Sequence, residues 1–256
     1  MSGFAGQDDG APRLSVVVPC YNEEAVIRDS YGKIRQALEL SGESYEIIFG
    51  NDGSSDATPA ILEEIAAADG AVRLTGHNPN RGAGYTYREM YGAARGGIII
   101  QMDADLAMPA EAAVPAFLAA LEGADVAVGS RYGSEETEYP LLRRVFSRGY
   151  IGLIKALFRL GLSDTQTGFV GFRRTVLDEL DLRSDGFEIL VEFFAQAREA
   201  GFRIVEVNLP WVHDTSSGET NVWKESVRML TGTLRVRRGL GEYRRNRLSQ
   251  NKQGGR

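Results

Sequence analysis

Short apolar runs recur through the first half of the chain, each followed by a stretch whose apolar residues fall at helical spacing. Leu14 to Val18 is rich in Val and stops at Pro19, and Glu23 to Leu40 then carries Val26, Ile27, Ile34, Ala37 and Leu38 on one helical face. The alternation repeats as Tyr45 to Phe49 then Asp56 to Ala68, Val72 to Thr75 then Ala83 to Arg95, and Ile98 to Met102 then Pro109 to Leu121. It ends at Asp125 to Gly129. Strands that are apolar throughout, separated by helices, predict an α/β fold with a mainly parallel sheet covered on both faces. Ligands in such sheets sit beyond the carboxyl ends of the strands. The segments that follow strands one, two and four are Pro19-Cys20-Tyr21-Asn22-Glu23, Asn51-Asp52-Gly53-Ser54-Ser55-Asp56 and Asp103-Ala104-Asp105, so three acidic loops should converge on one rim.

The rhythm changes after residue 130. A basic amphipathic helix is expected over Leu141 to Leu160, a second helix over Phe187 to Ala200, a short strand at Ile204 to Val207 and a terminal helix from about Val222. This divides the chain into an N-terminal tail (1–12), one catalytic domain (13–220) and a C-terminal helix with a basic tail (221–256). A single core suits 256 residues. Hydrophobic residues at 43% and charged residues at 25% exclude disordered and collagen-like classes without choosing an activity. Cys20, the single cysteine, cannot form an internal disulfide, and no Cys/His cluster has zinc spacing. The first residues are small and acidic, unlike a signal peptide, and no run nears the ~18 apolar residues of a spanning helix. The expectation is a cytoplasmic protein that does not cross a membrane.

Charge is unevenly placed. Residues 235–256 hold eight Lys/Arg against Glu242, or +7, which leaves −13 of the net −6 for residues 1–234. An anionic membrane surface is one partner for such a tail, and a solvated tail is the alternative. The apolar stripe Leu142, Val145, Phe146, Tyr150, Leu153, Ile154 and Leu157, beside Arg143, Ser147, Lys155 and Arg159, suits the headgroup region equally with the domain's own core. No nucleic-acid partner is expected.

Asp103 and Asp105 lie at i and i+2 just past a buried strand. Both can reach one hard divalent cation there, which would neutralise a diphosphate, or they can form a solvated turn. Asp52 and Gly53 make an ordinary turn, or supply a carboxylate to a nucleobase or ribose. In order, Val18-Pro19-Cys20-Tyr21-Asn22-Glu23, Asn51-Asp52-Gly53-Ser54-Ser55-Asp56, Asn80-Arg81-Gly82 and Asp103-Ala104-Asp105-Leu106 resemble the signatures of family-2 glycosyltransferases. The resemblance implies a GT-A fold. It implies that Pro19, Tyr21, Glu23, Asp52, Arg81 and Asp103 hold a nucleotide-sugar, and that Asp103 and Asp105 approach Mg²⁺ or Mn²⁺ and the diphosphate.

Gly129-Ser130-Arg131, Arg143 with Ser147, Asp164-Thr165-Gln166-Thr167-Gly168-Phe169 and Ser217-Gly218-Glu219-Thr220-Asn221-Val222 look like polyprenyl-phosphate mannosyl- and glucosyltransferases. The resemblance covers about residues 13 to 238. It implies inverting transfer of a hexose from a UDP- or GDP-hexose to a polyprenyl (dolichyl) phosphate at the cytoplasmic membrane face. Arg131, Arg143 and Ser147 would hold the acceptor phosphate, a set chemically suited to a phosphate monoester. Asp105, Asp164 and Gln166 would line the reaction centre. The sequence departs from the family pattern at Ala107, often Gln, at Asn51, usually Asp, and at Ala83, often Lys. A family-2 enzyme acting on a soluble or polysaccharide hydroxyl, and a silent nucleotide-sugar binding module, are the rival readings. His77, His213, Trp211 and Trp223 read as packing or surface residues.

Overall fold

The structure is a computed structural model that describes residues 10–130, 149, 152–165, 167–211 and 222–254. Seven strands form one sheet in the order β3-β2-β1-β4-β6-β5-β7. They are β1 (Leu14–Cys20), β2 (Tyr45–Asp52), β3 (Val72–His77), β4 (Ile98–Gln101), β5 (Val126–Ser130), β6 (Val170–Arg173) and β7 (Ile204–Asn208). The helices are α1 (Ile27–Ser41), α2 (Thr58–Ala68), α3 (Ala83–Ala93), α4 (Ala110–Leu121), α5 over 152–158, α6 (Arg174–Leu177), α7 (Glu188–Ala200) and α8 (Val222–Gly254). All strand pairs are parallel except those of β6, which runs antiparallel to both β4 and β5.

β6 is absent from the strand pattern read in the sequence. Four residues that run directly into α6 leave no periodicity to detect, and its placement comes from its two neighbours. β1 also extends beyond Pro19, because its pairing with β4 ends at Val17 while pairing with β2 continues to Cys20. A residue without an N–H is tolerated where one side of the strand has no ladder. α1 starts at Ile27 rather than Glu23: the Val26 and Ile27 amides both donate to the Glu23 carbonyl, closing a turn ahead of the helix.

Successive residues of the central strands feed two cores. Leu14, Val16, Val18 and Cys20 pack with Ile34 and Leu38 of α1, Leu62 of α2 and Val114 and Phe117 of α4. On the opposite face Val17, Ile48 and Ile99 meet Tyr87 and Met90 of α3, Phe193 and Phe194 of α7, and Val236, Leu240 and Tyr243 of α8. With both faces covered, the framework is apolar throughout and leaves polar groups to the ends of the sheet. At the amino end, buried Glu46 accepts hydrogen bonds from the Ser15 hydroxyl (2.7 Å), the Arg95 amide (2.7 Å) and the Arg73 guanidinium (2.9 Å). Burial disfavours its charge, yet these donors hold its pKa below the usual carboxylate value.

Two segments of the second half gain partners that the sequence does not name. The basic segment continues as helix to Gly254, and part of its charge is committed: Arg244 pairs with Glu199, and Arg247 lies 3.3 Å from Glu179. Arg235, Arg237, Arg238 and Arg245 stay exposed on the same helix. In the described part of the amphipathic segment, Ile154 and Phe158 are buried and Leu157 packs against the α3–α7–α8 core. That portion of the apolar stripe therefore faces the protein interior; residues 141–148 lie outside the described residues. Among the described residues no helix is long and apolar enough to cross a membrane.

Candidate active site at the carboxyl rim of the sheet

The loops after β1 and β2 are tied to one another before any ligand is considered. The Asn22 amide donates to the Ser54 hydroxyl (3.0 Å), the Ser55 amide to the Asn22 side-chain carbonyl (2.8 Å), and the Glu23 amide to the Thr58 hydroxyl (2.8 Å). Asn22 sits in the left-handed region (φ 58°), which Asn adopts more readily than most residues. The Ser30 hydroxyl donates to the Ala104 carbonyl (2.6 Å) and ties α1 to the loop after β4.

That third loop is a turn closed by the Leu106 amide on the Asp103 carbonyl (3.1 Å), with the Asp105 carboxylate accepting from the Ala107 amide (3.0 Å). Leu106 takes a left-handed backbone (φ 48°), at a typical cost of ~1–2 kcal/mol for such a residue, and its buried side chain anchors the turn in the core. Asp105 is left exposed at the rim and Asp103 half-buried. Glu23 faces this turn. Burial, then the negative charges of Asp105 and Asp56, raise its carboxyl pKa to about 7.

The antiparallel β6 delivers the Asp164–Phe169 loop to the same rim, because its first residue, Val170, pairs with Gln101 at the end of β4. Gln101 is a buried polar side chain in an apolar strand; it accepts from the Tyr91 hydroxyl and donates to the Gly168 carbonyl (3.1 Å). Gly168 lies directly against Asp103: a Cβ at 168 would stand 1.8 Å from the Asp103 Oδ1. Only glycine lets the backbone approach the carboxylate so closely. Asp164 is buried, and its loop is held by Glu206, which accepts from the Ser163 amide (2.6 Å) and the Asp164 amide (3.4 Å).

The rim thus collects Glu23, Asp52, Asp103, Asp105 and Asp164, with half-buried Pro19 and exposed Tyr21 and Arg81 around it. Arg131, Arg143, Ser147 and Gln166 lie outside the described residues, as do His213 and the 217–221 part of the Ser217–Val222 motif. Cys20 is buried, which pushes its thiol pKa up and suits packing rather than nucleophilic use. Among the described residues no three His, Cys, Asp or Glu side chains form a metal cage. The donor set fits a hard divalent cation through the two carboxylates of one loop, with further oxygens supplied by a diphosphate and water. Gln101 and Glu206 belong to none of the motifs read in the sequence, and Gly168 stands inside one without its contact with Asp103 being readable; a lone Gln inside an apolar strand was the one further signal.

A parallel sheet with one inserted antiparallel strand and an acidic rim at β1, β2 and β4 defines the GT-A class of glycosyltransferase folds. Residues 15–181 match the family model for glycosyl transferase family 2. The polyprenol monophosphomannose synthase of Mycolicibacterium smegmatis is 31% identical over 79% of this chain and 80% of that protein. Glycosyltransferase AglD of Haloferax volcanii is 32% identical over 82% of this chain and 34% of its own length. For the dolichol-phosphate mannosyltransferase of Pyrococcus furiosus the figures are 30%, 76% and 55%. The chain therefore spans only a third to about half of the length of these last two relatives. Among solved structures, the glucosyl-3-phosphoglycerate synthase of Mycobacterium tuberculosis in complex with UDP superposes with a TM-score of 0.65 at 21% identity, over 88% of this chain and 80% of that one, a likeness of fold. The chain belongs to glycosyl transferase family 2.

The Glu23 shift gives a pH signature. Its native pKa of about 7 stands above the ordinary 4.5, so its contribution to stability is fully present below 4.5 and is lost as pH rises through about 7. Metal-free Glu23→Gln should melt with the wild type near pH 4.5 and above it at pH 8. A difference in melting temperature that is the same at both pH values would contradict the raised Glu23 carboxyl.

Proposed function

We propose that the chain transfers a hexosyl group from a nucleoside diphosphate sugar to a polyprenyl phosphate, with inversion at the anomeric carbon. The observation that carries this reading is the Asp103–Asp105 turn, fixed beside the β1 and β2 loops and against Gly168, which gathers carboxylates that could hold a divalent cation against a diphosphate. The names of the sequence relatives, a polyprenol monophosphomannose synthase and a dolichol-phosphate mannosyltransferase, support a lipid phosphate as acceptor. Neighbouring folds solved with UDP and Mn²⁺ support a divalent cation and a nucleotide at this rim.

In the displacement, an acceptor phosphate oxygen forms a bond to the anomeric carbon as the bond from that carbon to the diphosphate oxygen breaks. A phosphate monoester has a second pKa of ~6 and is largely dianionic at neutral pH, so no strong general base is required. Mg²⁺ or Mn²⁺ held by Asp103 and Asp105 would supply charge to the leaving diphosphate. Pro19, Tyr21, Glu23, Asp52 and Arg81 frame the nucleotide, Arg131, Arg143 and Ser147 hold the acceptor phosphate, and Asp164 and Gln166 flank the reacting carbon. The enzyme works peripherally at the cytoplasmic membrane face, where exposed Arg235, Arg237, Arg238 and Arg245, beside exposed Leu230 and Leu234, meet anionic headgroups.

Asp105→Ala should lower transfer to a polyprenyl phosphate by at least about 100-fold, the scale of removing one transition-state charge contact, while the variant still folds and melts cooperatively. Arg131→Ala or Arg143→Ala should raise the acceptor KM by about tenfold or more and leave the donor KM within about twofold, since a charge-assisted hydrogen bond contributes ~1.5–3 kcal/mol. Transfer to a free sugar hydroxyl with no use of lipid phosphate would overturn the acceptor assignment. For membrane docking, the protein should sediment with anionic vesicles at low salt and be released as salt rises. Equal recovery in the supernatant with anionic and neutral vesicles would contradict it.

A further inference from the structure

Asp52 is 5% exposed at the end of β2, and one of its two carboxylate oxygens is fully engaged inside the protein. Oδ1 accepts from the Arg81 amide (2.8 Å), from the Gly82 amide (3.1 Å) and from Nε2 of His77 (2.8 Å). Oδ2 takes no hydrogen bond among the described residues. The other His77 nitrogen, Nδ1, lies 2.7 Å from the Glu89 carboxylate on α3. A neutral ring donates from one nitrogen only, so both contacts are hydrogen bonds when both nitrogens carry hydrogen. The edge of the same ring meets Tyr85 (centroids 4.9 Å apart, planes at 84°), and the Arg81 guanidinium lies 3.7 Å over the Tyr85 face. His77 therefore touches the supports of two rim residues at once, Asp52 directly and Arg81 through Tyr85.

We infer that His77 and Glu89 form a positioning pair for the nucleotide site. Glu89 fixes the imidazole from α3, the imidazole turns Asp52 so that Oδ1 caps the Arg81–Gly82 turn, and Oδ2 is presented outward as the acceptor for a nucleobase or ribose donor. Neither His77 nor Glu89 contacts the nucleotide in this arrangement. Their effect reaches it by fixing a carboxylate whose rotation would otherwise have to be frozen on binding. The inference rests on the reading that Asp52 belongs to the donor site and adds the groups that set its affinity. Gly82 completes the device. Its backbone (φ 98°) lies in the region that favours glycine, and a Cβ there would stand 2.4 Å from the Asp185 carbonyl, so the turn that Asp52 caps requires glycine at this position.

The experiment is calorimetric titration of UDP and of GDP, each with Mn²⁺, into wild type, Asp52→Ala, His77→Ala, Glu89→Ala, Glu89→Gln and Asp52→Ala/His77→Ala, with melting temperatures recorded in parallel. For whichever nucleotide the wild type binds, His77→Ala should weaken binding by about tenfold and Glu89→Ala by about three- to fivefold, in keeping with one lost hydrogen bond each. Glu89→Gln, which keeps an acceptor opposite Nδ1, should restore binding to within about twofold. The double variant should bind no more weakly than Asp52→Ala alone, because coupled residues are non-additive. A purely structural role would lower melting temperatures in Glu89→Ala with nucleotide affinity unchanged, and that result overturns the inference. Additive losses in the double variant overturn it as well. If Asp52→Ala binds like the wild type, or the wild type binds neither nucleotide, the donor-site reading beneath it fails instead.

Discussion

The confinement of a partly buried carboxyl, Glu23, among other acidic groups at the ends of β1, β2 and β4 is the constraint around which the functional end of this molecule is organised. Glu23, Asp56 and Asp105 are close enough that the Glu23 carboxyl is raised to about 7, burial contributing most and the two aspartates the rest. Backbone amides hold two of these carboxylates directly, those of Glu24 and Thr58 on Asp56 and that of Ala107 on Asp105. The interlocking hydrogen bonds among the β1, β2 and β4 loops keep the backbone in place, and the two-sided apolar sheet beneath keeps the loops in register. Stability invested in the framework thus maintains an electrostatically unfavourable rim, which a cation and a diphosphate would relieve together.

Much of this was legible in the sequence, because strands buried on both faces are written as continuous apolar runs and the loops after them stand out by contrast. Asp52, Asp103 and Asp105 could be placed at the strand ends from Phe49, Ile98 and Met102 alone. Harder to see were the groups that hold those carboxylates. Gln101 reads as one polar residue in a strand; its bond to Tyr91 exists only once α3 packs on the sheet, and its bond to Gly168 only once β6 has folded beside β4. β6 itself is too short for a period. His77 reads as an ordinary histidine, and the partner that gives it a role, Glu89, lies twelve residues away on another element.

In the C-terminal helix, charge alone does not tell which cations are committed within the fold. Eight basic residues in twenty-two suggest a tail defined by its charge, but Tyr243 donates to the Glu179 carbonyl (2.8 Å) and Arg244 and Arg247 engage Glu199 and Glu179, so the segment is a helix docked on α7. Charge counts cannot separate cations paired within the fold from cations left to a partner, because the pairing acids are distant in sequence. The same limit applies to Ile154 and Leu157, whose helical stripe suits lipid and core alike until the neighbouring α3–α7–α8 core is in view.

The proposed function requires Asp103, wedged against Gly168, and Asp105 to join a divalent cation to a nucleoside diphosphate at this rim. Gly168→Ala puts a methyl group where the Asp103 carboxylate lies and so tests the geometry without removing an acid. The direct measurement is nucleoside diphosphate affinity with and without Mn²⁺ in the wild type and in Gly168→Ala. The account predicts that the cation strengthens binding by about tenfold or more in the wild type, within the usual range of coupling between two ligands, and by far less in the variant. Equal affinity with and without Mn²⁺ in the wild type, or equal strengthening in both proteins, would contradict it.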